Sequence, residues 1–299
     1  MGGKNNLEKI RKPAVAGQFY DAGKTNLQQT IKECFLDKRG PKIIPKINQG
    51  AKNIRGLIVP HAGYIYSGAI AAHAYYHLST NGFAETFIIL GPNHTGIGSG
   101  VAMMTEGTWE TPLGFVSINQ ELANQLLKEI IDNDENAHKY EHSIEVQLPF
   151  LQYCAKESKF DFVPINITMQ DFETSKEIGE IIANAVKKTD KKTVIIASSD
   201  FSHAGFNYMS MPPPGINVNE YAKKQDMLAI KKILEMEPEQ LINTVHQNNI
   251  TMCGYGPVAA MLTAAKNLGA NKAELLKYGT SYEVYPGDSC VGYGAIIVY

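Results

Sequence analysis

The chain alternates between two hydrophobic rhythms. Short apolar runs rich in Ile and Val, at residues 54–59, 86–90, 162–167, 193–197 and 295–299, read as strands buried on both faces, each a candidate for the centre of a sheet. Between them lie stretches whose apolar positions recur every three to four residues. In residues 120–131, Leu122, Leu126 and Ile130 repeat at four-residue spacing beside Ala123, Leu127 and Ile131, which predicts one buried helix face. Similar patterns predict helices over 67–78, 143–156 with a bend before Pro149, 174–187, 219–234 and 257–268. Strands alternating with helices imply an α/β fold: a mostly parallel or mixed central sheet with helices on both faces. The closing Gly294-Ala295-Ile296-Ile297-Val298-Tyr299 is a candidate late strand of antiparallel sense.

No repeat or low-complexity tract interrupts this pattern. The most linker-like stretches, 38–52 and 209–215 with its three consecutive prolines, do not separate two differing compositions, so residues 1–299 read as a single domain. A hydrophobic fraction of 44% with 19% charged residues allows a large buried core. With 28 basic against 30 acidic residues and a net charge of -2, no overall field exists to hold a polyanion, so nucleic acid is a poor partner. Cys34, Cys154, Cys253 and Cys290 form no CxxC pair, which argues for thiols in a reducing compartment rather than a disulfide framework. The first twenty residues lack the apolar stretch of a signal peptide, and no apolar run approaches the ~18 residues a membrane span needs. The expectation is a cytoplasmic protein with no membrane partner.

In open α/β sheets, ligands bind beyond the carboxyl ends of strands, where loops meet helix N-termini. The first predicted strand runs into Pro60-His61-Ala62-Gly63-Tyr64 and the second into Gly91-Pro92-Asn93-His94. The fourth leads to Ser198-Ser199-Asp200-Phe201-Ser202-His203. A single histidine after a strand is most often a hydrogen-bonded loop residue. Three at equivalent topological positions favour a metal site, since imidazole suits zinc, copper, iron and nickel. Cys253 stands directly ahead of a predicted helix, where a thiol is expected to have a lowered pKa and to ligate metal or attack electrophiles; a buried, inert thiol is the alternative. Ser143 is a candidate helix cap with Glu145 in the first turn, and the preceding Glu141-His142 puts an imidazole where it can move protons. His73 and His77 have HxxxH spacing, but Ala74 replaces the glutamate that a zinc protease would use. Residues 96–100 are glycine-rich yet lead into no helix, so they support no dinucleotide site.

These motifs together resemble the Memo family, whose prokaryotic members are called AmmeMemoRadiSam system protein B. The resemblance rests on Arg11-Lys12-Pro13-Ala14-Val15-Ala16-Gly17-Gln18-Phe19-Tyr20, Pro60-His61-Ala62-Gly63-Tyr64, Leu90-Gly91-Pro92-Asn93-His94, Glu141-His142-Ser143-Ile144-Glu145, Ser198-Ser199-Asp200-Phe201-Ser202-His203 and Cys253-Gly254, in family order across nearly the whole chain. It implies a fold like that of the class III extradiol dioxygenases, which hold Fe(II) with two histidines and a glutamate. His61 and His94 match the two histidines, and Cys253 falls at the third ligand. A thiolate is softer than a carboxylate and shifts preference toward copper or iron, so ring cleavage does not carry across. His203 matches the acid/base histidine, with Asp200 and His142 as further cleft residues.

The resulting expectation is a mononuclear oxidoreductase with one transition metal ion, iron or copper before zinc, on His61, His94 and Cys253. His203 would shuttle protons, and Asp200 and His142 would orient substrate or that imidazole. Its partners would be an unknown small molecule or peptide in the cleft and, from the family's name, a radical SAM protein. The alternatives are a binding module without turnover and a zinc-dependent hydrolase.

Overall fold

Runs of Ile, Val and Leu lie at the centre of this protein because helices cover the sheet on both sides. The structure, a computed structural model, describes residues 9–128, 130–156 and 158–299. In chain order its strands are β1 (Ile10–Arg11), β2 (Gly56–Val59), β3 (Thr86–Pro92), β4 (Val101–Met103), β5 (Thr108–Thr111), β6 (Gly114–Ser117), β7 (Asp132–Asn133), β8 (Asp161–Ile167), β9 (Thr193–Ser198), β10 (His203–Gly205), β11 (Ala273–Thr280) and β12 (Ser289–Val298). The helices are α1 (Lys24–Leu36), α2 (Tyr64–Thr80), α3 (Gln120–Leu126), α4 (Leu148–Ala155), α5 (Phe172–Val186), α6 (Val218–Leu234), α7 (Pro238–Gln247) and α8 (Tyr255–Asn267).

The sheet is mixed, as expected. Its centre is four parallel strands in the order β2-β9-β3-β8, with Leu57, Ile196, Ile89 and Pro164 in one row. Antiparallel strands extend it: β12 pairs with β2, β10 and β11, and β4 pairs with β8. Every residue of β2, β3 and β9 is buried, which is why these strands are continuous apolar runs rather than alternating ones. Strands β1, β5 and β6 form a separate small sheet. No helix among the described residues is long and apolar enough to cross a membrane.

Several expectations shift in detail. The closing strand is antiparallel but begins at Ser289 rather than 295. Helix α3 stops at Leu126, because Leu127 adopts an extended ψ of 105°; residue 129 of the expected 120–131 helix lies outside the described residues. Helices α1 and α7 were not expected. Residues 143–156 do not make one helix, since a 3₁₀ turn over Glu145–Gln147 leads into α4, whose first turn holds Pro149.

Ser143 does not cap that segment. Its hydroxyl donates to the Pro92 carbonyl at 2.8 Å, and its N–H donates to Glu141 Oε1 at 2.9 Å. Glu145 does stand in the first turn of the 3₁₀ segment, as expected, but its carboxylate serves distant partners. It is fully buried, pairs with Arg11 Nη1, and accepts from the N–H groups of Ala14 at 2.8 Å and Val15 at 3.1 Å and from the Tyr20 hydroxyl.

A second buried acid lies on α6. Asp226 accepts from Ser202 N at 2.8 Å and from the Tyr278 hydroxyl at 2.7 Å. A Cβ at position 292 would come within 1.8 Å of Asp226 Oδ2, so β12 needs a glycine there to pass the carboxyl. Burial pushes the Asp226 pKa up to about 6, against the lowering effect of its hydrogen bonds. The folded pKa thus exceeds the unfolded value, so the stabilising contribution is complete below about pH 4 and is lost as pH rises through about 6. Asp226→Asn keeps an acceptor for Ser202 and removes the charge. Urea unfolding should therefore show wild-type stability falling relative to this variant by on the order of 2–3 kcal/mol between about pH 4 and pH 7. A difference independent of pH would contradict the assignment.

Candidate metal centre

Three neighbouring parallel strands, β2, β9 and β3, end at one edge of the sheet, and their outgoing loops deliver His61, Asp200 and His94 to the same place. Parallel order is what makes this possible: each chain segment leaves its strand on the same side. Helix α8 packs beneath these strands, and the loop entering it carries Cys253. That loop sits tightly against β9. A Cβ at Gly254 would meet the Ser198 carbonyl at 2.7 Å. Gln170 clamps the other side, with Nε2 donating to the Cys253 carbonyl at 2.9 Å and Oε1 accepting from Gly256 N at 2.8 Å.

The donor atoms of His61, His94 and Cys253 all lie within 4.8 Å of one another. His61 is 2% exposed; its Nδ1 stands 2.9 Å from Ser198 Oγ and its Nε2 3.2 Å from Cys253 Sγ. His94 is held from behind by Glu141, which accepts from its backbone N–H and lies 3.0 Å from its Nδ1. Burial pushes the Glu141 pKa up, but the hydrogen bond and charge of His94 outweigh it and hold the carboxyl at about 2. An ionised carboxylate only accepts, so His94 Nδ1 donates to it, and Nε2 is the ring nitrogen left for another partner. This is how metal-binding imidazoles are generally oriented.

His94, Glu141 and His142 also fall within ligand distance of one another. Glu141 is already engaged by N–H groups of His94, His142 at 2.8 Å and Ser143 at 2.9 Å, which suits an orienting group better than a ligand. His142 stacks on His94 with centroids 4.7 Å apart and packs against Phe19 at 4.6 Å. Burial lowers its pKa to about 4 despite the neighbouring Glu141, so at neutral pH it is uncharged. Burial, reinforced by the other imidazoles, puts His61 well below its usual value.

Asp200 does not face His203 in a hydrogen bond. Its Oδ1 accepts the backbone N–H of His61 at 2.8 Å, and its own N–H donates to Cys253 Sγ at 3.2 Å, so it ties two of the expected donors together. Burial raises its pKa. His203 is fixed by Thr251, two residues before Cys253: Thr251 Oγ1 takes the His203 N–H at 2.7 Å, and His203 Nδ1 lies 3.0 Å from the Thr251 carbonyl. The resulting cleft, about 480 Å³, is lined by His61, His94, His142, Asp200 and His203 together with Phe19 and several tyrosines, and no Lys or Arg among the described residues lines it.

One expectation is reversed. The Cys253 thiol is not lowered by the start of α8; burial pushes it up, and the nearby Asp200 adds to the effect. Desolvation of the thiolate outweighs a helix terminus beginning at Tyr255. Order along the chain also gave no task to Glu141, Ser198 or Gln170. The first two stand inside quoted motifs, and an acid beside His142 was a visible signal, but its target 47 residues away was not.

An α/β protein with imidazoles and a thiol gathered beyond parallel strand ends is the class these features define. The family model described as Memo-like protein matches residues 11–297, and the chain belongs to the Memo family. A MEMO1 family protein of Methanopyrus kandleri is 46% identical over 291 residues, covering 96% of this chain and 98% of that protein. Another, from Methanocaldococcus jannaschii, is 48% identical over 301 residues, covering 98% of this chain and all of that protein. Among solved structures, an uncharacterized protein of Escherichia coli K12 is similar in fold, with a TM-score of 0.53 at 14% identity, covering 82% of this chain and 99% of that one.

The raised Cys253 pKa predicts sluggish chemistry. Iodoacetamide at about pH 8 should label Cys253 at least roughly tenfold more slowly in the native, metal-free chain than in urea, with a rate still climbing beyond about pH 9. A rate that levels off below about pH 7 would show a thiolate instead.

Proposed function

We propose that this chain holds one transition metal ion on His61 Nε2, His94 Nε2 and Cys253 Sγ and acts as a mononuclear oxidoreductase on a small molecule with oxygen. The observation that carries the reading is the pair of imidazoles, each engaged at Nδ1 by a buried protein group, Ser198 or Glu141, with its Nε2 left for a ligand role. Two imidazoles and a thiolate suit iron or copper, with zinc next. Bound iron or copper would supply one-electron redox chemistry and coordination positions open to small molecules.

The remaining roles belong to the chain. His203, with Nδ1 directed at the Thr251 carbonyl, keeps Nε2 for holding or moving a proton at the substrate. Neutral His142 forms one wall together with Phe19. Asp200 fixes the spacing of His61 and Cys253 through the backbone. A cleft that no described Lys or Arg lines favours an uncharged substrate over an anionic one.

Elemental analysis of protein purified without added metal should give close to one iron or copper per chain. The His61→Ala/His94→Ala double variant should retain almost none; wild-type content in that variant would end the proposal. Glu141→Gln, which weakens the support of His94, should lower affinity about 10- to 100-fold with the fold intact.

A second reading, a binding module without turnover, draws on the exposed Tyr285, Phe206 and Met209, which are 75%, 75% and 92% exposed; Tyr285 lines the cleft, and the other two flank the lining residues Asn207 and Tyr208 along the chain. Metal-loaded protein that consumes no oxygen with any reductant, yet binds peptide when Cys253 is replaced, would favour it.

A further inference from the structure

His61 is supported by a chain of buried hydrogen bonds whose donors and acceptors can be assigned one by one. Ser198 Oγ lies 2.6 Å from the Ser143 carbonyl, 2.8 Å from Gln147 Nε2 and 2.9 Å from His61 Nδ1. A carbonyl can only accept, so the single hydroxyl proton of Ser198 points to Ser143. The amide of Gln147 is fixed in the same way. Its Nε2 is 3.0 Å from the Pro60 carbonyl, another obligatory acceptor, so its two hydrogens go to Pro60 and to Ser198, while Oε1 accepts from the Tyr75 hydroxyl at 2.6 Å.

Ser198 Oγ has then given its proton and filled one lone pair. What remains is one lone pair, facing His61 Nδ1. That nitrogen must donate, because two lone pairs facing each other would leave the contact without a proton. Tyr75, Ser198 and Gln147 are at most 1% exposed, so solvent does not offer a substitute partner.

We propose that Ser198, oriented by Gln147 and Tyr75, is a positioning residue that sets His61 as its Nδ1–H tautomer and so directs the Nε2 lone pair at Cys253 Sγ, 3.2 Å away. The functional meaning rests on the metal reading above, in which Nε2 is the ligand atom. The tautomer itself is a property of the metal-free chain and is testable without any ion. The two histidine donors are thereby prepared by different chemistry: a carboxylate behind His94, and a neutral serine behind His61. A neutral partner leaves His61 a weaker electron donor than a carboxylate would.

Long-range ¹H–¹⁵N correlation on metal-free protein labelled at histidine nitrogen reads the tautomer directly. Wild-type His61 should show a protonated Nδ1 and an unprotonated Nε2. Ser198→Ala should release that preference, so that the Nε2–H form becomes populated, and should weaken cobalt(II) binding about 10- to 100-fold. Ser198→Thr, which retains the hydroxyl, should restore the Nδ1–H pattern. Gln147→Met, a milder change that leaves Ser198 in place, should broaden or shift the His61 ring signals while those of His246 stay put. A wild-type His61 carrying its proton on Nε2, or a folded Ser198→Ala variant with unchanged ring shifts, overturns the proposal. Wild-type protein with the expected tautomer but no cobalt(II) binding would support the positioning role and overturn the metal reading, which keeps the two claims distinguishable.

Discussion

A guanidinium buried against a carboxylate holds the site's supporting segment in place. Arg11 pairs through Nη1 with Glu145, and its Nε and Nη2 donate to the His138 carbonyl at 3.0 and 2.9 Å. Nη2 also donates to the Glu141 carbonyl at 2.6 Å, and the guanidinium carbon lies 4.4 Å from the centroid of the Trp109 ring. One side chain thus pins residues 138–145 at their start, middle and end. Removing two charges from water costs several kcal/mol per ion, and only a fully hydrogen-bonded pair offsets that. Glu145 meets the condition with donors from Arg11, Ala14, Val15 and Tyr20. The same bonds seat residues 14–20 against the cleft, where Phe19 packs on His142.

The charges around the site follow one scheme. Burial keeps His61 and His142 neutral and the Cys253 thiol protonated, while Glu141 remains ionised because backbone and imidazole N–H groups surround it. In the metal-free chain His61, His142 and Cys253 therefore carry no charge. A bound cation would invert this logic, since a coordinated thiol loses its proton outright. The thiol's high pKa without an ion and its suitability as a ligand are compatible for that reason.

Much of the core was legible in the sequence because a strand buried on both faces carries few polar positions. Residues 54–59, 86–90 and 193–197 could hardly be anything else, and their shared direction explains why His61, His94 and Asp200 meet. Helices α1 and α7 were harder to see. Each buries four residues, Leu27, Ile31, Cys34 and Phe35 in one and Pro238, Leu241, Ile242 and Val245 in the other, amid many polar ones. Short strands such as β1, β4 and β7 are defined by their partners and carry little local signal. The same holds for chemistry. Histidines after strands announce themselves, whereas Glu141, Ser198 and Gln147 acquire their tasks from residues distant in the chain. The pKa of Cys253 was misjudged because helix position is local and desolvation is not.

The contact between Cys253 and His61 joins residues 192 positions apart. An ion grasped by both would act as a removable cross-link closing most of the polypeptide into one ring, and loop-closure entropy changes only slowly with ring size. Occupancy would consequently report on the integrity of the whole sheet rather than on a local loop. By mass action the ion would favour the complete fold over every partly opened form in which the two segments have separated.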